Sequence, residues 1–193
     1  MIGPMPMRLA SPLLALVLAA VLLPASIAAA QTMDFACPDP GTVFIYDSGV
    51  KVVSRGRDGL DCNMDRVGGK PFKLRALLFD NPSPDGVDMS AYIAALRPER
   101  LWPLEVGKKI EARYSVGGGT WTYTLSVPRA EKRTGPGDKL IDTFVIEMNE
   151  HGDKGQRSIS RWWISPADKF AIRYDFSDGA GKANRAVVTE VTR

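Results

Sequence analysis

The octapeptide TWTYTLSV (120–127) alternates bulky apolar residues with small hydroxylated ones. Trp121, Tyr123, Leu125 and Val127 fall in one phase; Thr120, Thr122, Thr124 and Ser126 fall in the other. Successive side chains of an extended chain point to opposite faces, so the pattern specifies a strand with one face in a core and one towards water. The same period of two recurs along most of the chain. TVFIYD (42–47) and VKVVSR (50–55) flank Ser48-Gly49, and IEARYSV (110–116) reaches TWTYTLSV through three glycines. LIDTFVIEM, RSISRWWI, KFAIRYDF and ANRAVVTEV then follow, separated by the turn-forming stretches TGPGDK, NEHGDKG, SPAD and SDGAGK. FKLRALLF (72–79) reads as a further strand, with Phe72, Leu74, Ala76 and Leu78 on one face and Lys73 and Arg75 on the other. Only DMSAYIAAL (88–96) changes period: Met89, Tyr92, Ile93 and Leu96 sit at helical spacing, Asp88 is placed to cap the start, and Arg97-Pro98 ends it. The expectation is an all-β chain: a curved antiparallel meander or barrel-like sheet of about nine strands with one short helix.

The first thirty residues stand outside that pattern. Arg8 precedes the apolar run LLALVLAAVLL (13–23), Pro24 ends it, and Ala28-Ala29-Ala30 follows. This order of base, apolar stretch and small residues is that of a secretory signal peptide, and the run is short of the ~20 residues of a membrane span. A signal peptide over 1–30 and a single β domain over 31–193 are therefore expected, with no integral membrane segment left after cleavage and a periplasmic or secreted location. The two cysteines, Cys37 and Cys62, fit an oxidising compartment and read as a disulfide closing the first hairpin segment, 37–62. In the chain-entropy account such a crosslink stabilises by about 3–4 kcal/mol. Lipidation at Cys37 is disfavoured by Asp34-Phe35-Ala36, which lacks the leucine expected three positions before a lipidated cysteine.

Several chemistries lack their residues. Lys and Arg (25) nearly balance Asp and Glu (22) without forming a run, so no phosphate-neutralising patch is visible and nucleic acid is not an expected partner. The single histidine, His151, lies in NEHGDKG, which reads as an exposed loop, leaving a Ser–His–Asp arrangement without a base. In DCNMDRVGGKPF, Asp61, Asn63 and Asp65 match the first calcium-loop ligands. Arg66 then stands where glycine is needed and Phe72 where a bidentate Glu is needed. No cofactor motif and no metal-ligand set is present. Among strand carboxylates, Asp142, Glu147 and Asp175 could serve a carboxylate-dependent hydrolase, but Asp142 and Glu147 differ in parity, and Glu147 reads as the salt-bridge partner of a nearby arginine.

What remains is aromatic. In RWWISPADKFAIRYDF (161–176) the neighbouring Trp162 and Trp163 must face opposite sides of one strand. Trp162 and Ile164 are assigned to the core. Trp163 is assigned to the outer face beside Arg161, whose guanidinium could stack on the ring. On the next strand Phe170, Ile172, Tyr174 and Phe176 are expected to share the core face. A cavity on such a sheet would draw its lining from Trp102, Tyr114, Trp121, Tyr123, Trp162, Trp163 and Tyr174.

LWPLEVGKK, TGPGDKLIDTFVIE and WWISPADKFAIRYD occur in an order that resembles a group of uncharacterised exported bacterial β domains with W-P-L-x-V-G-K, D-T-F and W-x-S-P hairpin motifs. The resemblance spans about 101–176 and departs in the longer turn before D-T-F. It implies a curved antiparallel sheet in the cell envelope, and it carries no catalytic residue or substrate. The expected function is non-catalytic binding of an apolar or lipid-like ligand in the envelope. The alternatives are a protein-interaction module with a filled core, whose partner is an envelope protein, and the hydrolase above.

Overall fold

The computed structural model describes residues 32–116 and 118–193. The expected signal peptide lies outside the described residues. In chain order the elements are β1 (Thr32–Met33), β2 (Val43–Tyr46), β3 (Lys51–Asp58), β4 (Asp61–Arg66), β5 (Pro71–Arg75) and β6 (Phe79–Asn81). The helix α1 (Ser90–Leu96) and a 3₁₀ turn (Pro98–Leu101) come next. They are followed by β7 (Leu104–Glu105), β8 (Lys109–Val116), β9 (Gly119–Thr134), β10 (Leu140–Gly152), β11 (Arg157–Ser165), β12 (Phe170–Asp178) and β13 (Ala183–Thr192). β1 and β7 form a two-stranded pair. The rest make one antiparallel sheet of eleven strands in the order β6-β5-β4-β3-β2-β13-β12-β11-β10-β9-β8. The architecture is thus all-β with one short helix. The sheet consists of two meanders, β2–β6 and β8–β13, joined where the last strand pairs with β2.

The barrel-like alternative does not close: β6 and β8 remain edges. The curvature is nonetheless strong. Phe79 on β6 lies 5.7 Å from Trp162 on β11, although the two strands are seven places apart and would be ~33 Å apart in a flat sheet. Phe44 of β2 likewise stacks on Phe170 of β12 at 3.9 Å across the intervening β13. The sheet therefore wraps round its own core, and α1 sits in the gap between its edges. There the Tyr92 ring meets Phe79, Tyr114 and Tyr123 edge-on, at 5.8, 5.8 and 5.4 Å. Asp88 accepts from the Ser90 N–H at 2.9 Å, and Arg97 ends the helix in the left-handed conformation with φ 50°.

Three local features differ from the alternation pattern. FKLRALLF is two strands, not one: Ala76 (φ 52°) and Leu77 (φ 63°) form a tight reversal closed by Leu78 N–H to the Arg75 carbonyl at 3.0 Å. Non-glycine residues resist that conformation, but here Ala76 and Leu77 are wholly buried, so core packing offsets the strain. His151 belongs to β10, opposite Arg157 and Thr122, and the loop begins after Gly152. Finally, a bulge between Trp163 and Ile164 shifts the register of β11 against β12. Ile172 thereby leaves the face of Phe170 and Tyr174 and packs with Ile141 at Gly135, where a Cβ would stand 2.5 Å from Ile141 and 3.5 Å from Ile172.

Cys37 and Cys62 are bonded, with Cα atoms 5.5 Å apart. They fasten the segment before β2 to β4, and the Ser54 hydroxyl on β3 holds the same segment through the Pro38 carbonyl at 2.8 Å. Among the described residues no helix is long and apolar enough to cross a membrane.

Candidate functional site

Because the sheet curls, its inward phase converges. On the first meander that phase is Phe44 and Tyr46 of β2, Val52 of β3, Met64 and Arg66 of β4, Phe72 and Leu74 of β5, and Asp80 of β6, as the cross-strand pairs Val52–Arg66, Met64–Phe72 and Leu74–Asp80 require. On the second it is Ile146, Met148 and Glu150 of β10, facing Trp162, Ser160 and Ser158 of β11, which in turn face Tyr174, Phe176 and Asp178 of β12. Between the two meanders lies an inner cavity of about 620 Å³, walled by residues that include Phe72, Leu74, Phe79, Trp162, Phe170 and Tyr174. It shares Met89, Tyr92, Glu150 and Phe176 with an outer cleft of about 880 Å³ under α1, which Tyr114, Trp121 and Tyr123 also line. Both volumes fall in the range of small-molecule sites.

The polar groups of this concave side are few. At one end Arg66 bonds Asp80 at 2.5 Å and lies over the Phe72 ring at 4.2 Å. Burial pushes the Asp80 carboxyl up to about 6 and outweighs the adjacent guanidinium. Burial also raises the Tyr46 phenol, and the Asp80 charge adds to the effect. At the other end Glu150 accepts from the Tyr92 hydroxyl at 3.0 Å and from the Ser158 hydroxyl. Burial and the Glu150 charge raise Tyr92 well above the ordinary phenol value and push Tyr123 up to about 12. These phenols are therefore hydrogen-bond donors, not anions, at any physiological pH.

The aromatic residues singled out in the sequence divide into four positions. Trp162 and Tyr174 wall the inner cavity, their ring centroids 5.3 Å apart. Tyr114, Trp121 and Tyr123 wall the outer cleft. Trp102 is apart from both: its N–H bonds the Ala76 carbonyl at 3.2 Å and its ring meets Phe35 edge-on at 5.3 Å. Trp163 takes the opposite face of the sheet, as parity requires, yet only 4 % of it is exposed. The β9–β10 hairpin tip folds across it, so the stacked cations are Arg133 at 4.4 Å and Arg173 at 4.9 Å, and Arg161 instead pairs with Glu147 at 2.6 Å. The Trp163 N–H bonds Glu131 at 2.6 Å.

Asp142, Glu147 and Asp175 all lie away from the cavity, each facing a base: Lys132, Arg161 and Arg173. Arg66, Asp80, Tyr92 and Glu150, four polar groups that do line it, were not among the sequence candidates. Glu150 had a signal, since Phe144, Ile146, Met148 and Glu150 share one phase and the acid ends an otherwise apolar series. Arg66 and Asp80 had none, because nothing local says that β4 and β6 bring them together. No group of three or more His, Cys, Asp or Glu gathers at metal-binding distance among the described residues.

No protein-family model matches the chain, and neither does any curated protein. Among solved structures it is similar to the crystal structure of the hypothetical lipoprotein YmcC from Escherichia coli (K12), at 11 % identity and a TM-score of 0.42 over 76 % of this chain and 80 % of that one. Agreement so loose has no functional content.

Proposed function

We propose that this is an exported, non-catalytic binding protein of the cell envelope whose concave face takes an apolar, lipid-like molecule. The observation that carries the reading is the inner cavity of about 620 Å³, walled by Trp162, Tyr174, Phe79 and Phe170 and opening under α1. The two walls touch where Phe79 meets Trp162 at 5.7 Å and Phe44 stacks on Phe170 at 3.9 Å, and the space beside those contacts is of small-molecule size. The Cys37–Cys62 bond supports export, since such bonds persist in oxidising compartments. The interaction-module alternative loses its patch, because Trp163 is covered by its own hairpin.

Titration with the neutral probe N-phenyl-1-naphthylamine tests the reading. Saturable one-to-one binding is expected, weakened at least about ten-fold by Trp162→Ala and unchanged by Trp163→Phe, in line with the ~1.4 kcal/mol per decade of affinity that a lost aromatic wall supplies. Binding that ignores Trp162→Ala would overturn it.

A second reading, a carboxylate-dependent hydrolase, is favoured by one observation: Asp80 holds its proton to about 6 beside Arg66 inside the cavity. It requires that Asp80→Asn abolish turnover of an ester or glycoside substrate while leaving probe binding intact.

A further inference from the structure

Glu150 stands where the inner cavity and the outer cleft meet. Its two oxygens accept from neutral hydroxyls, Tyr92 on Oε1 and Ser158 on Oε2. No Lys or Arg nitrogen lies within ion-pair distance of it among the described residues. Six other carboxylates that are part-buried on this sheet, Asp61, Asp65, Asp80, Glu131, Glu147 and Asp175, each face a guanidinium at 2.5–2.7 Å. Glu150 instead faces rings. Tyr92, Tyr114, Trp121, Tyr123 and Phe176 share its cleft, and the only base lining that cleft, Arg157, is exposed. Two further acids line it, Asp88 and Asp178, each occupied by backbone N–H groups of its own turn. The lining therefore carries three carboxylates against one guanidinium.

A carboxylate oriented by two hydroxyls, surrounded by aromatic rings and lacking a counter-ion is chemistry for a cation. Ring quadrupoles attract a cation over their faces, most strongly when it is weakly hydrated, and the carboxylate supplies the opposite charge where water is partly excluded. We propose that Glu150 and the rings around it form the head site for an organic ammonium group. The molecule in the inner cavity is then an amphiphile with its ammonium at Glu150 and its apolar body directed towards Trp162 and Phe170. This rests on the reading that the inner cavity takes an apolar ligand. The base lining the inner cavity, Arg66, offers no competing site for an anionic head because it is already paired with Asp80.

Three probes with the same ten-carbon chain separate the two statements: decyltrimethylammonium, decyl glucoside and decyl sulfate, each titrated below its micelle concentration into the disulfide-bonded protein. The ammonium probe is expected to bind about ten-fold tighter than the glucoside, with the sulfate weakest. Glu150→Gln should bring the ammonium probe to the level of the glucoside without moving the glucoside. On the wild-type protein, which removes any question of folding, tetramethylammonium should displace decyltrimethylammonium and leave decyl glucoside bound. Equal binding of the three probes, an equal effect of Glu150→Gln on both, or no displacement would overturn the head site and leave the apolar cavity standing. Failure of all three probes to bind would overturn both.

Discussion

Trp162 and Trp163 are neighbours in sequence and almost equally buried, at 5 % and 4 % exposure, yet the two faces of the sheet use them in opposite ways. Trp162 lies against Tyr174 and Phe79 on the wall of the inner cavity, and its N–H has no protein acceptor among the described residues. Trp163 has every feature satisfied: a carboxylate on its N–H, guanidiniums over its ring and a hairpin tip across it. The carboxylates follow the same division. On the inner face burial dominates at Asp80 and its carboxyl is raised. On the outer face burial also pushes Glu131, Glu147 and Asp175 upwards, but hydrogen bonds and charge from Arg129, Arg161 and Arg173 outweigh it and leave all three below the usual range. The difference teaches that burial alone does not mark structure from function. A group that is buried and satisfied serves packing, whereas a group on the cavity wall keeps one side that packing leaves uncovered.

The most severe way to break this contrast is Trp163→Ala. It removes a ring from a filled site and strips a donor from Glu131, so a loss of about 3–5 kcal/mol is expected from urea unfolding. Trp162→Ala enlarges a space that already exists, and a smaller loss of ~2–3 kcal/mol is expected together with the loss of probe binding. If the two substitutions cost the same, the faces do not differ as described.

Acid titration sharpens the comparison because the two faces have opposite signs. Folded Asp80 keeps its proton to about 6, whereas the unfolded chain releases it near 3.8. The folded state therefore binds more protons in that window, and stability falls by roughly 3 kcal/mol as pH rises through it. The outer carboxylates are lowered, so the stability they contribute is present above their unfolded values of 4.5 and 3.8 and is lost as pH falls. Urea midpoints from pH 3.5 to 7 should pass through a maximum near the middle of that range. Asp80→Asn should abolish the decline on its neutral side and leave the acid side intact. The smallest effect expected is that of Arg173→Ala, about 1 kcal/mol from one guanidinium over Trp163 and its pairing with Asp175, with no change in probe binding.

The strands whose alternation is longest, β9, β10 and β11, were legible with their faces, as were the helix, its stop at Arg97, the disulfide pair and the opposite placement of the two tryptophans. Each rests on parity, turn chemistry or compartment, which neighbouring residues express by themselves. FKLRALLF misled because a buried Ala76-Leu77 reversal carries no glycine or asparagine to announce it. Ile172 misled because a bulge costs one residue of register and leaves no mark in the alternation. Five of the seven aromatic candidates do reach the cavities, since large rings in the inward phase of a curved sheet converge. Trp102 and Trp163 do not.

The sequence by itself therefore determined an all-β chain, the turns that carry glycine, proline or asparagine and the phase of the strands away from the bulges, because those follow from interactions within a few residues. Only the tertiary structure decided the rest: that the sheet curls until β6 meets β11 without closing, that the β9–β10 tip covers Trp163, and that Arg66 meets Asp80 while Glu150 faces aromatic rings without a cation. Those contacts depend on the summed twist of strands far apart in the chain, a quantity that no local window of residues encodes.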